Sequence, residues 1–262
     1  MLICTPDSTT QPTSAPPHRF RTPSYYRRSM ISPDPHAATR GPIEPGAEEW
    51  IGASPTARGA ALTDLLALAD AFPQGRRYEG SPSLVEKVIA VDLALSAADL
   101  PHAFGGALAY AYYGEPRTTV DIDVNVFVSI DRWSEVQAAL EPLPIDLSLD
   151  PKELTEERQA RLPWDLNPVH LFFSYDDLHA EMPRAIRRVP FAGTEIPIVA
   201  LEHLVIRKAM LDRTKDWLDI EAIFIASGPL DLAEIESWVS RLAGDGDHRV
   251  TKLQEVARRL FT

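Results

Sequence analysis

The chain has 262 residues, 45% of them hydrophobic and 24% charged, the make-up of a globular protein long enough for a full hydrophobic core. Acidic residues outnumber basic ones 38 to 26, for a net charge of −12, which excludes a generally basic nucleic-acid binder but not a local basic groove. The single cysteine, Cys4, excludes an intramolecular disulfide and a cysteine-built zinc cluster, no apolar run is long enough for a membrane span, and the start MLICTPDSTT lacks the basic and apolar regions of a secretion signal, so a cytoplasmic location is expected.

Ten of the 23 prolines fall within residues 1–55, among many Ser and Thr and isolated apolar residues. Such a segment buries too little surface to offset its ordering entropy. Residues 1–50 are expected to be a disordered leader and 51–262 a single domain. Residues 1–40 carry a net charge of +3, leaving −15 for the rest. A weak basic arm (Arg19, Arg21, Arg27 and Arg28 with Tyr25 and Tyr26) and a true start at Met30 stay open as alternatives.

Helical spacing runs through 57–72, where Leu62, Leu65, Leu66 and Ala69 share a face, and through 81–100, with Ser81 or Ser83 as cap. A short strand over 102–106 breaks at two glycines, and a helix over 107–114 ends at Gly114. TVDIDVNVFV (119–128) alternates strictly, with Val120, Ile122, Val124, Val126 and Val128 on one face and Asp121, Asp123, Asn125 and Phe127 on the other. A helix over 131–143 capped by Asp131 follows, then a strand over 144–149, a charged helix over 151–162 and a strand over 168–175. A short helix from Asp177 leads into a hairpin around Gly193, over 187–200. Helices near 201–213, 215–226, 231–242 and 249–261 close the chain. The expected fold class is α+β (mixed α/β): a mixed sheet flanked by helices, with its core at about 100–200 and a helical C-terminal part over 201–262.

The stretch 104–126 concentrates the chemistry. Gly105 and Gly106, between a strand and a helix start, leave backbone N–H groups bare for an anion. Asp121 and Asp123 are alternate residues of one strand, so both carboxylates leave the same face. Their mutual repulsion is readily explained by a divalent cation. A phosphate cradle beside paired carboxylates is the equipment of phosphoryl or nucleotidyl transfer. Lys208 lies on the apolar stripe Leu201, Leu204, Val205, Leu211, where a lysine must snorkel or meet an anion. Lys215 and Asp219 are i, i+4 partners, which accounts for much of the charge at 212–221.

On Gly105, Gly106, Arg117, Thr118, Asp121 and Asp123, the chain resembles the nucleotidyltransferases of the polymerase-beta-like superfamily, in particular their AbiEii/AbiGii-toxin-like branch. The resemblance continues through VHLFFSYDDLHAEM and the block 189–223, and covers about 100–226. It implies a nucleotidyltransferase-like sheet and transfer of a nucleotidyl group from an NTP to an acceptor hydroxyl. It assigns Asp121, Asp123 and Asp219 to catalysis, and Gly105, Gly106, Arg117, Thr118 and Lys208 to the nucleotide. Asp121 and Asp123 would hold Mg²⁺ or Mn²⁺, with His170 as a further metal ligand. The family's third carboxylate falls at His170, and imidazole suits Zn²⁺ or Mn²⁺ better than Mg²⁺. The implied acceptor is tRNA, a protein or a small molecule, and the branch implies a toxin whose partner is an antitoxin protein. The competing expectation is a weak or inactive module of the same fold that binds a nucleotide or a partner protein.

Overall fold

Residues 46–71, 80–149, 154, 158–227 and 230–261 are described in the structure, a computed structural model. Residues 1–45 of the expected leader lie outside them, as do 151–153 and 155–157 of the helix expected over 151–162. Residues 46–50, counted with the leader from sequence, belong to the described part: Ala47–Trp50 is a 3-10 turn with Ala47 buried.

Helix α1 (Pro55–Ala71) starts with proline in its first turn, where the missing N–H costs nothing, and Ser54 Oγ accepts from the Ala57 amide at 3.2 Å. Its Arg58 is buried and hydrogen-bonds the carbonyls of Gly114, Trp50 and Ala226. Helix α2 (Leu84–Ala97) carries a full capping box between Ser83 and Glu86. Strand β1 (His102–Phe104) is wholly buried and runs into α3 (Gly106–Tyr110). Strand β2 (Ile122–Ser129) buries Ile122, Val124, Val126 and Val128. A 3-10 turn at Ile130–Arg132 leads into α4 (Trp133–Leu140). Strands β3 (Gln159–Leu162) and β4 (Val169–Ser174) follow, then α5 (Asp177–Glu181). Strands β5 (Arg187–Phe191) and β6 (Thr194–Ile198) form the hairpin at Gly193. Helices α6 (Leu201–Leu211), α7 (Thr214–Ser227), α8 (Leu232–Ala243) and α9 (His248–Phe261) complete the chain.

The six strands form one mixed sheet in the order β3-β4-β2-β1-β6-β5. Central β2 is antiparallel to β1 and parallel to β4, and β1 is parallel to β6. The fold class is therefore the mixed α/β arrangement expected, with a helical C-terminal part. One sheet face is apolar: Val124, Val126, Leu171 and Phe173 are fully buried, and Trp133 of α4 meets Phe173 edge-on. The other face of β2 and β4 carries Asp123, Asn125, His170 and Phe172, mostly half-buried.

Several expected elements are corrected. Residues 144–149 form no strand; the Asp146 side chain accepts from the amide and hydroxyl of Ser148, a local turn that competes with strand pairing. Residues 159–162, expected in a helix, are β3, because Ala160 and Leu162 alternate inward while Arg161 faces out. Helix α3 stops at Tyr110, and tight turns carry the chain to Gly114, which packs on the Tyr110 ring. The strand expected over 119–128 begins only at Ile122, and Val120 stands exposed. Ser129, not Asp131, caps the turn before α4.

Candidate active site

The turn from β1 to α3 is built against β2. The Gly105 amide donates to the Asp123 carbonyl at 2.9 Å, closing the β1–β2 ladder. A Cβ at Gly105 would lie 2.8 Å from Asn125 Nδ2. Gly106 has φ +50°, and a Cβ there would overlap the Asp123 carboxylate. Glycine is thus required at 106 twice, for its backbone conformation and for the close approach of Asp123. The sequence suggested an open anion cradle ahead of a helix over 107–114. The helix has only five residues, and the space a side chain would fill at Gly106 faces Asp123 itself.

Across the parallel β2–β4 pair, Asp123 stands opposite His170, and the His170 Nδ1 lies 3.5 Å from Asp123 Oδ1. Asp121 stands one residue ahead of β2. Ile122 between the two aspartates is fully buried, so Asp121 and Asp123 both turn away from the core. No described side chain holds the Asp121 carboxylate; the residue's backbone amide is held by Thr119 Oγ1 at 3.2 Å. Among the described residues no three His, Cys, Asp or Glu side chains are gathered as a metal cage. The donor set that remains is two carboxylates on alternate residues. That set suits Mg²⁺, which is ordinarily held by one or two carboxylates together with the phosphates of its substrate.

The second group of expected residues assembles around Tyr110, the last residue of α3. Lys208 is buried, with its Nζ 2.6 Å from Asp219 Oδ2 and 3.8 Å from Asp216 Oδ1. Arg117 Nη2 reaches the same Asp219 oxygen at 2.8 Å. Both cations face the Tyr110 ring, at 5.5 Å for Lys208 and 4.8 Å for Arg117. Arg213 Nε holds Asp216 at 2.6 Å. Three cations thus meet two carboxylates, and Glu115 stands near enough to act on the Tyr110 phenol as well. The Arg117 Nε is buried with no hydrogen-bond partner among the described residues. Burial first, and then Asp219, push the Tyr110 phenol up to about 12, so it stays neutral. Asp219 thus stands as partner to the two cations, and Thr118 stands exposed in the loop beyond Arg117.

Two contributors went unnoticed in the sequence as site residues. Asn125 continues the Asp121, Asp123 alternation and is buried beneath Gly105. Lys87 lies on the apolar stripe of α2 between Leu84 and Val91, the same kind of signal that singled out Lys208, and it is fully buried.

No protein-family model matches the chain. No curated protein matches it either. Among solved structures, ANT(2″)-Ia in complex with adenylyl-2″-tobramycin aligns over 68% of this chain and 98% of its own, at 16% identity and a TM-score of 0.38. An antigenic nucleotidyltransferase-like protein from Paracoccidioides brasiliensis aligns over 67% of this chain and 88% of its own, at 15% identity and a TM-score of 0.42. Terminal uridylyl transferase 4 from Trypanosoma brucei with bound GTP aligns over 51% of this chain and 42% of its own, at 13% identity and a TM-score of 0.27.

Proposed function

We propose that the chain is a divalent-metal-dependent nucleotidyltransferase that moves a nucleotidyl group from an NTP to an acceptor hydroxyl. The observation that carries this reading is the close seat of the Gly105–Gly106 turn on Asp123, with Asp121 on the adjacent outward position and His170 across the strand pair. Asp121 and Asp123 would hold Mg²⁺ or Mn²⁺, which when bound stabilises charge on the attacking and leaving oxygens. Gly105 and Gly106 let the turn close onto Asn125 and Asp123, and the nucleotide would bind along this turn. Arg117 and Lys208 would supply positive charge for the triphosphate, and the partly exposed guanidinium of Arg117 would donate to a phosphate oxygen. The acceptor hydroxyl attacks the α-phosphorus and pyrophosphate leaves.

The acceptor classes consistent with this chemistry are tRNA, a protein hydroxyl and a small molecule. Toxin action with an antitoxin protein as partner extends the reading on the sequence resemblance alone. Incubation with Mg²⁺, each of the four α-labelled NTPs and a cell extract as acceptor source tests it. Label transferred by the wild type and lost in Asp123→Ala supports transfer. No label from any NTP rejects it.

One observation favours a second reading, an inactive module of the same fold that binds a nucleotide or partner protein. Asp219 already pairs with both Lys208 and Arg117, the cations assigned to the triphosphate, and competes with a phosphate for them. Nucleotide binding without transfer, unchanged in Asp219→Asn, would support the module.

A further inference from the structure

The Val120–Ile122 segment is held in an unusual way. The Val120 side chain is 59% exposed, so apolar packing does not fix the chain just ahead of Asp121. Hydrogen bonds do. The Asn167 Nδ2 donates to the Val120 carbonyl at 3.2 Å. The Asp121 amide donates to Thr119 Oγ1 at 3.2 Å, and the same hydroxyl donates to the Asp121 carbonyl at 3.1 Å. The Ile122 amide donates to the Pro168 carbonyl at 3.0 Å. All four polar groups of the two peptides flanking Asp121 are therefore engaged, while no described residue holds its carboxylate.

The segment that supplies two of these bonds is itself clamped by Lys87. The Lys87 Nζ is fully buried and donates to the Trp164 carbonyl at 3.1 Å, to Asn167 Oδ1 at 3.0 Å and to Asp165 Oδ2 at 3.4 Å. An ammonium has three protons, and each has an acceptor here. Because Lys87 takes Oδ1, the Asn167 amide must present its NH₂ to Val120; the reverse orientation would set two donors against each other. A methionine would fill the same space without desolvating a charge. The lysine instead gives direction.

We propose that Lys87 and Asn167, with Thr119, are positioning residues that preset Asp121 to receive a divalent cation. The clamp fixes both peptide planes around the Asp121 Cα, so its Cα–Cβ bond leaves the backbone in one direction before any ligand arrives. The ligand half of this proposal rests on the transferase reading; the positioning half does not.

The test pairs a conservative change with an isosteric one. Asn167→Asp keeps an acceptor for Lys87 but removes the donor to Val120. Thr119→Val removes the hydroxyl at a partly exposed position, where folding is not at stake, and Thr119→Ser returns it. Mn²⁺ with ATP, CTP, GTP or UTP is titrated by calorimetry, and amide exchange at Asp121 and Ile122 is followed by NMR in the ligand-free protein. The expected result is a roughly 10–100-fold loss of affinity in Asn167→Asp and Thr119→Val, recovery in Thr119→Ser, melting temperatures near wild type and faster exchange at both amides. Wild-type affinity or unchanged exchange in Thr119→Val would overturn the proposal. A wild-type protein that binds no metal–nucleotide rejects the transferase reading. The exchange rates alone then decide the clamp: faster exchange in Thr119→Val supports it and unchanged exchange overturns it.

Discussion

At Gly106 two demands coincide, a left-handed backbone and a missing side chain against Asp123. A left-handed conformation costs a non-glycine residue roughly 1–2 kcal/mol. Gly106→Ala should exceed this, at about 2–4 kcal/mol by urea denaturation, because Asp123 must move as well. Gly193 is the control: it has φ +81° with open space around it, so Gly193→Ala should show the backbone cost alone. Equal losses at the two positions would mean that Asp123 does not press on Gly106. Asp219 is the second informative residue, since it joins two cations with only 5% of its surface exposed. Asp219→Ala leaves Lys208 and Arg117 without their shared carboxylate and should cost about 3–5 kcal/mol. The double variant Lys208→Met, Asp219→Leu should recover part of that loss. A fully additive double variant would contradict a coupled pair. At His170, a second acid next to Asp123 adds negative charge to the metal-facing row. His170→Asp should therefore tighten Mg²⁺ binding in a direct titration, and unchanged binding would remove His170 from the site.

Among the elements, α5 and α6 bury histidines that have little to do with the proposed chemistry. His179 of α5 is fully buried; burial first, and Arg207 second, push its imidazole below the ordinary 6.5 against the pull of Asp176. Burial likewise lowers His203 of α6, against Glu202 and Glu181. The unfolded chain takes up these protons near pH 6.5 and the native one does not. Stability from these two groups is therefore complete above pH 6.5 and declines as the pH falls below it. Burial would raise the Asp176 carboxyl, but its hydrogen bond from His179, the His179 charge and Arg207 outweigh this and hold it low, so its share is lost only below pH 3.8. Melting temperatures should be level between pH 8 and 7 and lower at pH 5.5, with a shallower fall in His203→Leu. A flat profile down to pH 5.5 would contradict buried neutral histidines. The long helices were legible in the sequence because their stripes and caps are local signals: Ser83 with Glu86 marks α2, and Leu201, Leu204 and Val205 mark α6. Strand β3 was not, because the charge-rich run ahead of it carried the expected helix on to 162, and the alternation of Ala160 and Leu162 spans only four residues. The false strand at 144–149 has the opposite cause, an alternating pattern whose hydrogen bonds go to a side-chain turn at Asp146.

Over the whole molecule, the sheet order β3-β4-β2-β1-β6-β5 brings together residues far apart in the chain. The alternation of β2 marked Asp121 and Asp123 as a pair, and the glycines marked the turn beside them. What sequence could not give is the pairing of strands. The register that sets His170 against Asp123 depends on the parallel β2–β4 ladder. The meeting of Arg117, Lys208 and Asp219 depends on α6 and α7 packing beside the Tyr110 end of α3. Lys87 and Asn167 are 80 residues apart, so their clamp on the Asp121 segment is a tertiary fact with only the buried-lysine stripe as a trace. The central claim is that Asp121 and Asp123 bind a metal–nucleotide at the Gly105–Gly106 turn. Calorimetric titration of Mg²⁺ with each of the four NTPs into wild type, Asp121→Ala and Asp123→Ala tests it most directly. Saturable, Mg²⁺-dependent binding of at least one NTP to wild type, lost in both variants, is the expected result. Binding that survives Asp123→Ala unchanged, or no binding of any NTP to wild type, would contradict it.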